Sequence, residues 1–270
     1  MYETFYHLKE NPFNITSDPD FFFSSTHHTE AFSHLLYGIK LRKGIIVITG
    51  EIGTGKTTLC RTLLNRLDRT VKTALVLNPS FSDLQLLQII LKDFGIEKKF
   101  FNKHQCINAL NEFLLKETVQ GHNVILIIDE AQNLGVRQLE QIRLLSNLET
   151  DKDKLLQIIL VGQPELNEKL RLPELRQLNQ RVTVRFHILP LQPSELPQYI
   201  NHRLTVATSN GHGEKRLEFT HNALQTIYEY SKGTPRMINI LCDRALLAGY
   251  NSETFCIDEA IIRQCAKEIL

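Results

Sequence analysis

The sequence predicts an α/β fold: a parallel five-stranded sheet sandwiched by helices, followed by a smaller helical domain. Three observations carry this. Short continuous apolar runs rich in β-branched residues occur at 45–49, 73–77, 124–128 and 156–161, as in strands buried on both faces of a parallel sheet. Segments with helical spacing lie between them, such as 136–148 with Leu139, Ile142, Leu145 and Leu148 on one face. After Pro193 the pattern becomes helical throughout.

The first forty-odd residues are aromatic and turn-rich. Phe5, Tyr6, Pro12, Phe13 and the run Phe21-Phe22-Phe23 need a surface to pack on. A helix is expected over 29–42, with Phe32, Leu35, Leu36 and Ile39 on one face. The first strand, 45–49, is followed by a glycine-rich turn and a helix over 57–67. A fifth strand is expected over 182–191. The second part opens with a helix over 194–207, then the loop Ser209-Asn210-Gly211-His212-Gly213. Helices over 220–230 and 235–250 follow, and a last one is capped by Asp258.

Composition narrows the class. Lys plus Arg number 31 against 30 Asp plus Glu, so no general basic footprint for nucleic acid exists. The five cysteines, Cys60, Cys106, Cys242, Cys256 and Cys265, are scattered and form no CxxC. They read as reduced thiols rather than a disulfide frame or zinc site. The ten histidines show no metal-ligand spacing, and the adjacent His27 and His28 read as capping or surface residues. Lys98-Lys99 reads as a solvated face. The N-terminus does not have the pattern of a signal peptide, and no apolar run is long enough to cross a bilayer. A cytoplasmic protein without an integral membrane segment is expected.

Gly50-Glu51-Ile52-Gly53-Thr54-Gly55-Lys56-Thr57 fits GxxxxGK[ST] in full, with a strand before and a helix after. Its glycines let the backbone wrap phosphate oxygens, and the helix adds its positive N-terminal end. Lys56 should reach the β- and γ-phosphates of ATP, and Thr57 should ligate Mg²⁺. The strand at 124–128 ends in Asp129-Glu130. Asp129 suits the Mg²⁺ shell; Glu130 suits a base that polarises the attacking water. The fourth strand runs into Gln163, a candidate γ-phosphate sensor or a turn residue before Pro164. Arg181, opening the fifth strand, is a candidate arginine finger or an exposed edge residue, with Arg171 and Arg176 competing. Gly233-Thr234-Pro235-Arg236 starts a helix at Pro235. Arg236 either reaches back to the phosphates from the helical lid or lies on the helix surface.

Taken in order, these features resemble the AAA+ ATPases. Closest is the ExeA/GspA family, the ATPases associated with type II secretion and related pilus systems. The resemblance covers nearly the whole chain. It rests on Met1-Tyr2, on Leu8-Lys9-Glu10-Asn11-Pro12-Phe13, and on the phosphate loop continued by Thr58-Leu59-Cys60-Arg61. Further along it rests on Ile128-Asp129-Glu130-Ala131-Gln132-Asn133-Leu134, on Arg143-Leu144-Leu145-Ser146-Asn147-Leu148-Glu149-Thr150, and on Leu160-Val161-Gly162-Gln163-Pro164-Glu165-Leu166. Leu178-Asn179-Gln180-Arg181 and Gly233-Thr234-Pro235-Arg236 complete it.

The resemblance implies a nucleotide-binding core over 1–191 and a helical lid over 192–270. Segment 1–43 would lie on the adenine side, with Pro12 and Phe13 lining that pocket, and Thr58 would join the nucleotide contacts. It implies an ATP-dependent oligomer with ATP between subunits, secretion or pilus inner-membrane components as partners, and a place at the cytoplasmic face of the inner membrane. Larger members continue into a membrane span and a periplasmic peptidoglycan-binding domain; this chain reads as a short or truncated member. An alternative is a TnsC/TniB-like transposition ATPase that assembles on DNA, against which the near-neutral charge weighs. A nucleotide-gated switch with little turnover is a third reading, against which Glu130 weighs.

Overall fold

A computed structural model describes residues 1–68, 70–149, 154–208 and 217–269. The chain begins with α1 (Tyr2–Phe5), α2 (Thr26–Lys40), β1 (Ile45–Gly50), α3 (Lys56–Arg66) and β2 (Val71–Val76). It continues with α4 (Asp83–Asp93), α5 (Lys103–Val119), β3 (Asn123–Ile128), α6 (Val136–Leu145), β4 (Gln157–Gly162), α7 (Glu165–Leu170), α8 (Arg176–Arg181) and β5 (Val182–Ile188). It closes with α9 (Leu196–Ala207), β6 (Glu218–Phe219), α10 (His221–Ser231), α11 (Pro235–Asn251), β7 (Cys256–Ile257) and α12 (Glu259–Ile269).

Contacts divide the chain into two units. One comprises residues 29–52 and 60–188; the other comprises 1–28, 53–59 and 189–270.

The first unit is the α/β part. Its strands pair in parallel in the order β2-β3-β4-β1-β5. All six residues of β1 and of β4 are buried, which is why their apolar residues run on without alternating. Ile45, Ile46, Val47 and Ile48 are each at most 1% exposed, and each such side chain contributes roughly 1.5–3 kcal/mol by leaving water. The chain leaves β1 towards β2 on one side and leaves β4 towards β5 on the other. The carboxyl ends of these neighbouring strands therefore form the crevice where α/β sheets bind ligands.

Several elements differ from expectation. β5 ends at Ile188 rather than 191 because Pro190 has no N–H to continue the ladder. Arg181 closes α8 rather than opening the strand. α6 stops at Leu145, three residues early, where the Ser146 hydroxyl donates to the Arg143 carbonyl and ends the turn.

The second unit is helical, built on α9 to α12. The N-terminal aromatics find their surface here: Tyr2, Tyr6, Phe13 and Phe21 are buried in one cluster with Tyr199, Leu241, Cys242 and Leu246. Residues 1–28 thus group with the C-terminal helices, whereas the sequence reading attached 1–43 to the core. Polar bonds fix the strap. The Tyr2 hydroxyl donates to Asp243, Tyr6 to the carbonyls of Leu246 and Thr254, and the buried Arg203 to the carbonyls of Pro12 and Asn14. Asp258 accepts from the Ile261 N–H and Thr220 from Ala223, the capping chemistry expected of such residues. The expected loop at 209–213 lies outside the described residues. Cys60, Cys106, Cys242 and Cys265 are buried and Cys256 is exposed.

Candidate nucleotide-binding site

The phosphate loop leaves β1 at Gly50 and ends in α3, which begins at Lys56, one residue earlier than expected. Gly53 and Gly55 have φ of +79° and +92°, a region L side chains avoid. Space is short at both as well. A Cβ on Gly53 would lie 2.6 Å from Arg236 Cβ, and one on Gly55 would lie 3.0 Å from His28 Nε2. Thr54 is fully buried and Lys56 is 6% exposed. No acidic residue occupies the first turn of α3, so the positive end of the helix is not offset there.

His28 braces this loop. Its side chain is buried, with Nε2 2.8 Å from the Thr54 carbonyl oxygen and Nδ1 2.6 Å from Ser25 Oγ. A carbonyl only accepts, so Nε2 carries the hydrogen and Nδ1 accepts from the serine. Burial pushes the imidazole pKa down, which favours that neutral form. This corrects the expectation of a surface or capping histidine. Glu195 holds the start of α2 that carries His28, accepting from the Thr26 N–H at 2.8 Å and the Thr26 hydroxyl at 2.9 Å. That bond also explains why α2 starts at Thr26 rather than 29.

The start of α11 meets the same loop. The Arg236 N–H donates to the Gly53 carbonyl at 3.2 Å, and the Arg236 side chain is exposed. Gly233 makes the approach possible with φ +76°; a Cβ there would lie 2.1 Å from the Leu191 carbonyl oxygen.

The acidic pair belongs to the α/β unit. Asp129 is 2% exposed at the tip of β3, and its Oδ1 accepts from the Glu130 N–H at 2.9 Å. Glu130 turns the chain with φ +52°. Its Oε2 accepts from Gln132 Nε2 at 2.5 Å and from Gln163 Nε2 at 3.3 Å. Gln132 Oε1 in turn accepts from the Gln163 N–H at 3.0 Å. Gln163 is thus brought onto Glu130, and Gln132, which sequence reasoning passed over, joins them. Gly162 leaves room for this: its Cβ would meet Gln132 Oε1 at 2.7 Å.

Two expectations fare differently. Phe13 does not line an open pocket. It is 1% exposed and packs edge-on against Phe219 at 6.3 Å, so its ring presents no free face to a base. Pro12 is buried beside it. Arg181 is half-buried at the end of α8, within electrostatic reach of Glu149.

Thr57 carries a hydroxyl and the buried Asp129 a carboxylate, each an oxygen donor of the hard kind that Mg²⁺ takes. Among the described residues no group of three or more His, Cys, Asp and Glu could hold a metal ion.

The strand order, the phosphate loop after β1 and the acidic pair after β3 define a P-loop protein of the AAA class. Residues 39–170 match the AAA domain family. Over all 270 residues the chain is 42% identical to General secretion pathway protein A of Aeromonas hydrophila, covering 100% of this chain and 48% of that protein. Over its whole length the chain is thus similar to an ExeA/GspA-type protein and carries an AAA domain, and it spans about half the length of this curated relative. Among solved structures it is similar to Cdc6p from Pyrobaculum aerophilum, with TM-score 0.71, 16% identity and coverage of 99% of this chain and 71% of that one. It is also similar to the Aeropyrum pernix ORC2 protein in ADPNP-ADP complexes, with TM-score 0.64, 17% identity and coverage of 88% and 66%. The Thermotoga maritima RuvB Holliday junction branch migration motor gives 0.59, 18%, 89% and 67%. At these identities the structures share the fold. No helix among the described residues is long and apolar enough to cross a membrane.

Proposed function

We propose that the chain binds Mg-ATP and hydrolyses it to ADP and phosphate as an ATP-dependent oligomer, acting as an assembly factor for a type II secretion or pilus-type apparatus. The observation that carries the nucleotide reading is the loop itself. Two glycines in left-handed conformation, each with little room for a side chain, lead into a helix whose first residue is Lys56. That is the arrangement that turns backbone N–H groups and a helix N-terminus towards phosphate.

In this reading Gly50, Glu51, Ile52, Gly53, Thr54, Gly55, Thr57 and Thr58 enclose the phosphates, and Lys56 carries the cation that faces them. Thr57 and Asp129 would supply oxygen ligands to Mg²⁺, which would contribute charge neutralisation at the phosphates. Glu130 takes a proton from a water as its oxygen attacks the γ-phosphorus. The bond from that phosphorus to the β–γ bridging oxygen breaks, and ADP leaves. Gln163 senses the γ-phosphate and orients Glu130; Arg236 reaches the phosphates from the lid. Arg181 serves a neighbouring subunit's site.

The secretion or pilus role and the place at the inner membrane rest on the relationship to General secretion pathway protein A. Lys56→Ala should weaken ATP affinity by at least tenfold, measured by titration with a fluorescent ATP analogue. Affinity within twofold of wild type would remove the phosphate-loop reading. Co-purification from the native host should yield inner-membrane secretion or pilus components. ATP turnover stimulated by duplex DNA at physiological salt would instead favour a transposition-type role.

A further inference from the structure

A cavity of about 490 Å³ lies against the edge strand β5, lined by Thr49, Asn167, Arg171, Asn179, Arg185 and His187 together with apolar side chains. None of the lining residues is acidic. Arg185 is held without being neutralised: Nη1 donates to Asn167 Oδ1 at 3.3 Å, and Nη2 donates to Asn179 Oδ1. Both partners are uncharged amides, so they orient the guanidinium and leave its charge in place. Among the described residues no carboxylate forms an ion pair with Arg185 or Arg171. Burial, and then the nearby charge of Arg171, push the Arg185 pKa down, so the two cations oppose each other.

Thr49 Oγ1 accepts from Asn167 Nδ2 at 3.1 Å and lies 3.0 Å from His187 Nδ1. In the tautomer where the threonine hydroxyl gives its hydrogen to Nδ1, Nε2 carries the ring N–H. A guanidinium carries five N–H donors, of which Arg185 uses two on the asparagines. The rest, with those of Arg171, meet no acidic acceptor among the residues lining the cavity.

From this we infer that the cavity is a second anion site, for a tetrahedral oxyanion of the phosphate class, separate from the phosphate loop. Two forked guanidiniums match such an ion bidentately, and its charge removes the repulsion between them. The recognised group is free phosphate or the phosphoryl group of a small phosphate ester.

The test is equilibrium dialysis or calorimetry with orthophosphate, and separately with glycerol 3-phosphate, at low salt. It is run on wild-type protein and on Lys56→Ala, which disables the loop. Wild type can bind phosphate at the loop and at the cavity, and Lys56→Ala should retain one phosphate with a Kd on the order of 1 mM, weakening as salt rises. Arg171→Ala and Arg185→Ala, each placed in the Lys56→Ala background, should weaken it at least tenfold, and Asn179→Ala, which keeps both charges but loosens the fork, should weaken it less. If Arg185→Ala fails to fold, Arg185→Lys keeps the charge without the fork and should still lose affinity. Equal affinity for both probes identifies the phosphoryl group as the ligand; binding of orthophosphate alone identifies the free ion. Phosphate binding that disappears with Lys56, or that survives unchanged in both arginine variants, overturns the assignment.

Discussion

The Nε2–H of His28 donates to the carbonyl oxygen of Thr54 at 2.8 Å, in the middle of the phosphate loop. A buried carbonyl that loses its donor costs about 1–3 kcal/mol. His28→Leu should therefore raise KM for ATP by about tenfold, with a smaller change in kcat, because the loop loses its shape before the acidic pair is touched. His28→Gln carries an amide donor at similar reach and should recover most of the loss. Equal KM in all three proteins would remove His28 from the loop's support.

The same histidine should leave a mark on stability. Its pKa lies below the ordinary 6.5, chiefly through burial, opposed by the Thr54 carbonyl and Glu195 and aided by His27. The unfolded chain then binds the proton more readily than the folded one, so stability is full above 6.5 and is lost as pH falls below it. His202 is depressed too and adds in the same direction. Urea titrations at pH 7.5 and pH 5.5 should show lower stability at the acid value, and His28→Gln should reduce the difference. A pH response unchanged by that substitution would assign it to other groups.

Glu130→Gln keeps the shape of the side chain but removes the base. ATP binding should persist and turnover should fall by about 10²–10⁴-fold. Gln163→Ala should lower turnover less, by about tenfold, since Gln132 still holds the same carboxylate oxygen. Single-turnover kinetics separates these effects from binding, and normal hydrolysis by Glu130→Gln would exclude it as the base.

Gly233→Ala tests the approach of α11 to the loop. Its φ of +76° and the Leu191 carbonyl oxygen 2.1 Å from the new Cβ both oppose the methyl group. Backbone here cannot swing aside as a side chain tip would. The substitution should destabilise by about 3 kcal/mol or more, measured by urea unfolding. A loss under about 0.5 kcal/mol would show that the turn relaxes freely.

Arg181→Ala should bind ATP nearly as wild type and lose most turnover, as removal of a finger acting on another subunit does. Mixed with Lys56→Ala, it should regain part of the activity, because some interfaces then pair an intact loop with an intact arginine. Full activity in Arg181→Ala alone would pass the role to Arg176.

Much of this could be read along the chain. GxxxxGK[ST] after an apolar strand, and Asp129-Glu130 after another, are contiguous signals: the residues that act together are neighbours in sequence. Strand cores were legible because burial on both faces removes polar residues from the run. Ends were less so. β5 stops at Ile188 and α6 at Leu145 because of a missing N–H and a serine hydroxyl, features that hydrophobic spacing does not weigh.

By itself, the sequence determined the fold class, the phosphate loop and the acidic pair, since local spacing and side-chain chemistry are enough for these. Only the tertiary structure decided what lies against them. His28 precedes Thr54 by 26 residues and Gln163 follows Glu130 by 33, and nothing in their immediate neighbours marks the pairing. The aromatic start of the chain showed that it needed a partner but not which one. Tyr2 meets Asp243 across 241 residues, and Phe13 turns inward to Phe219, because burying those rings on the C-terminal helices removes apolar surface from water that no nearby segment could cover.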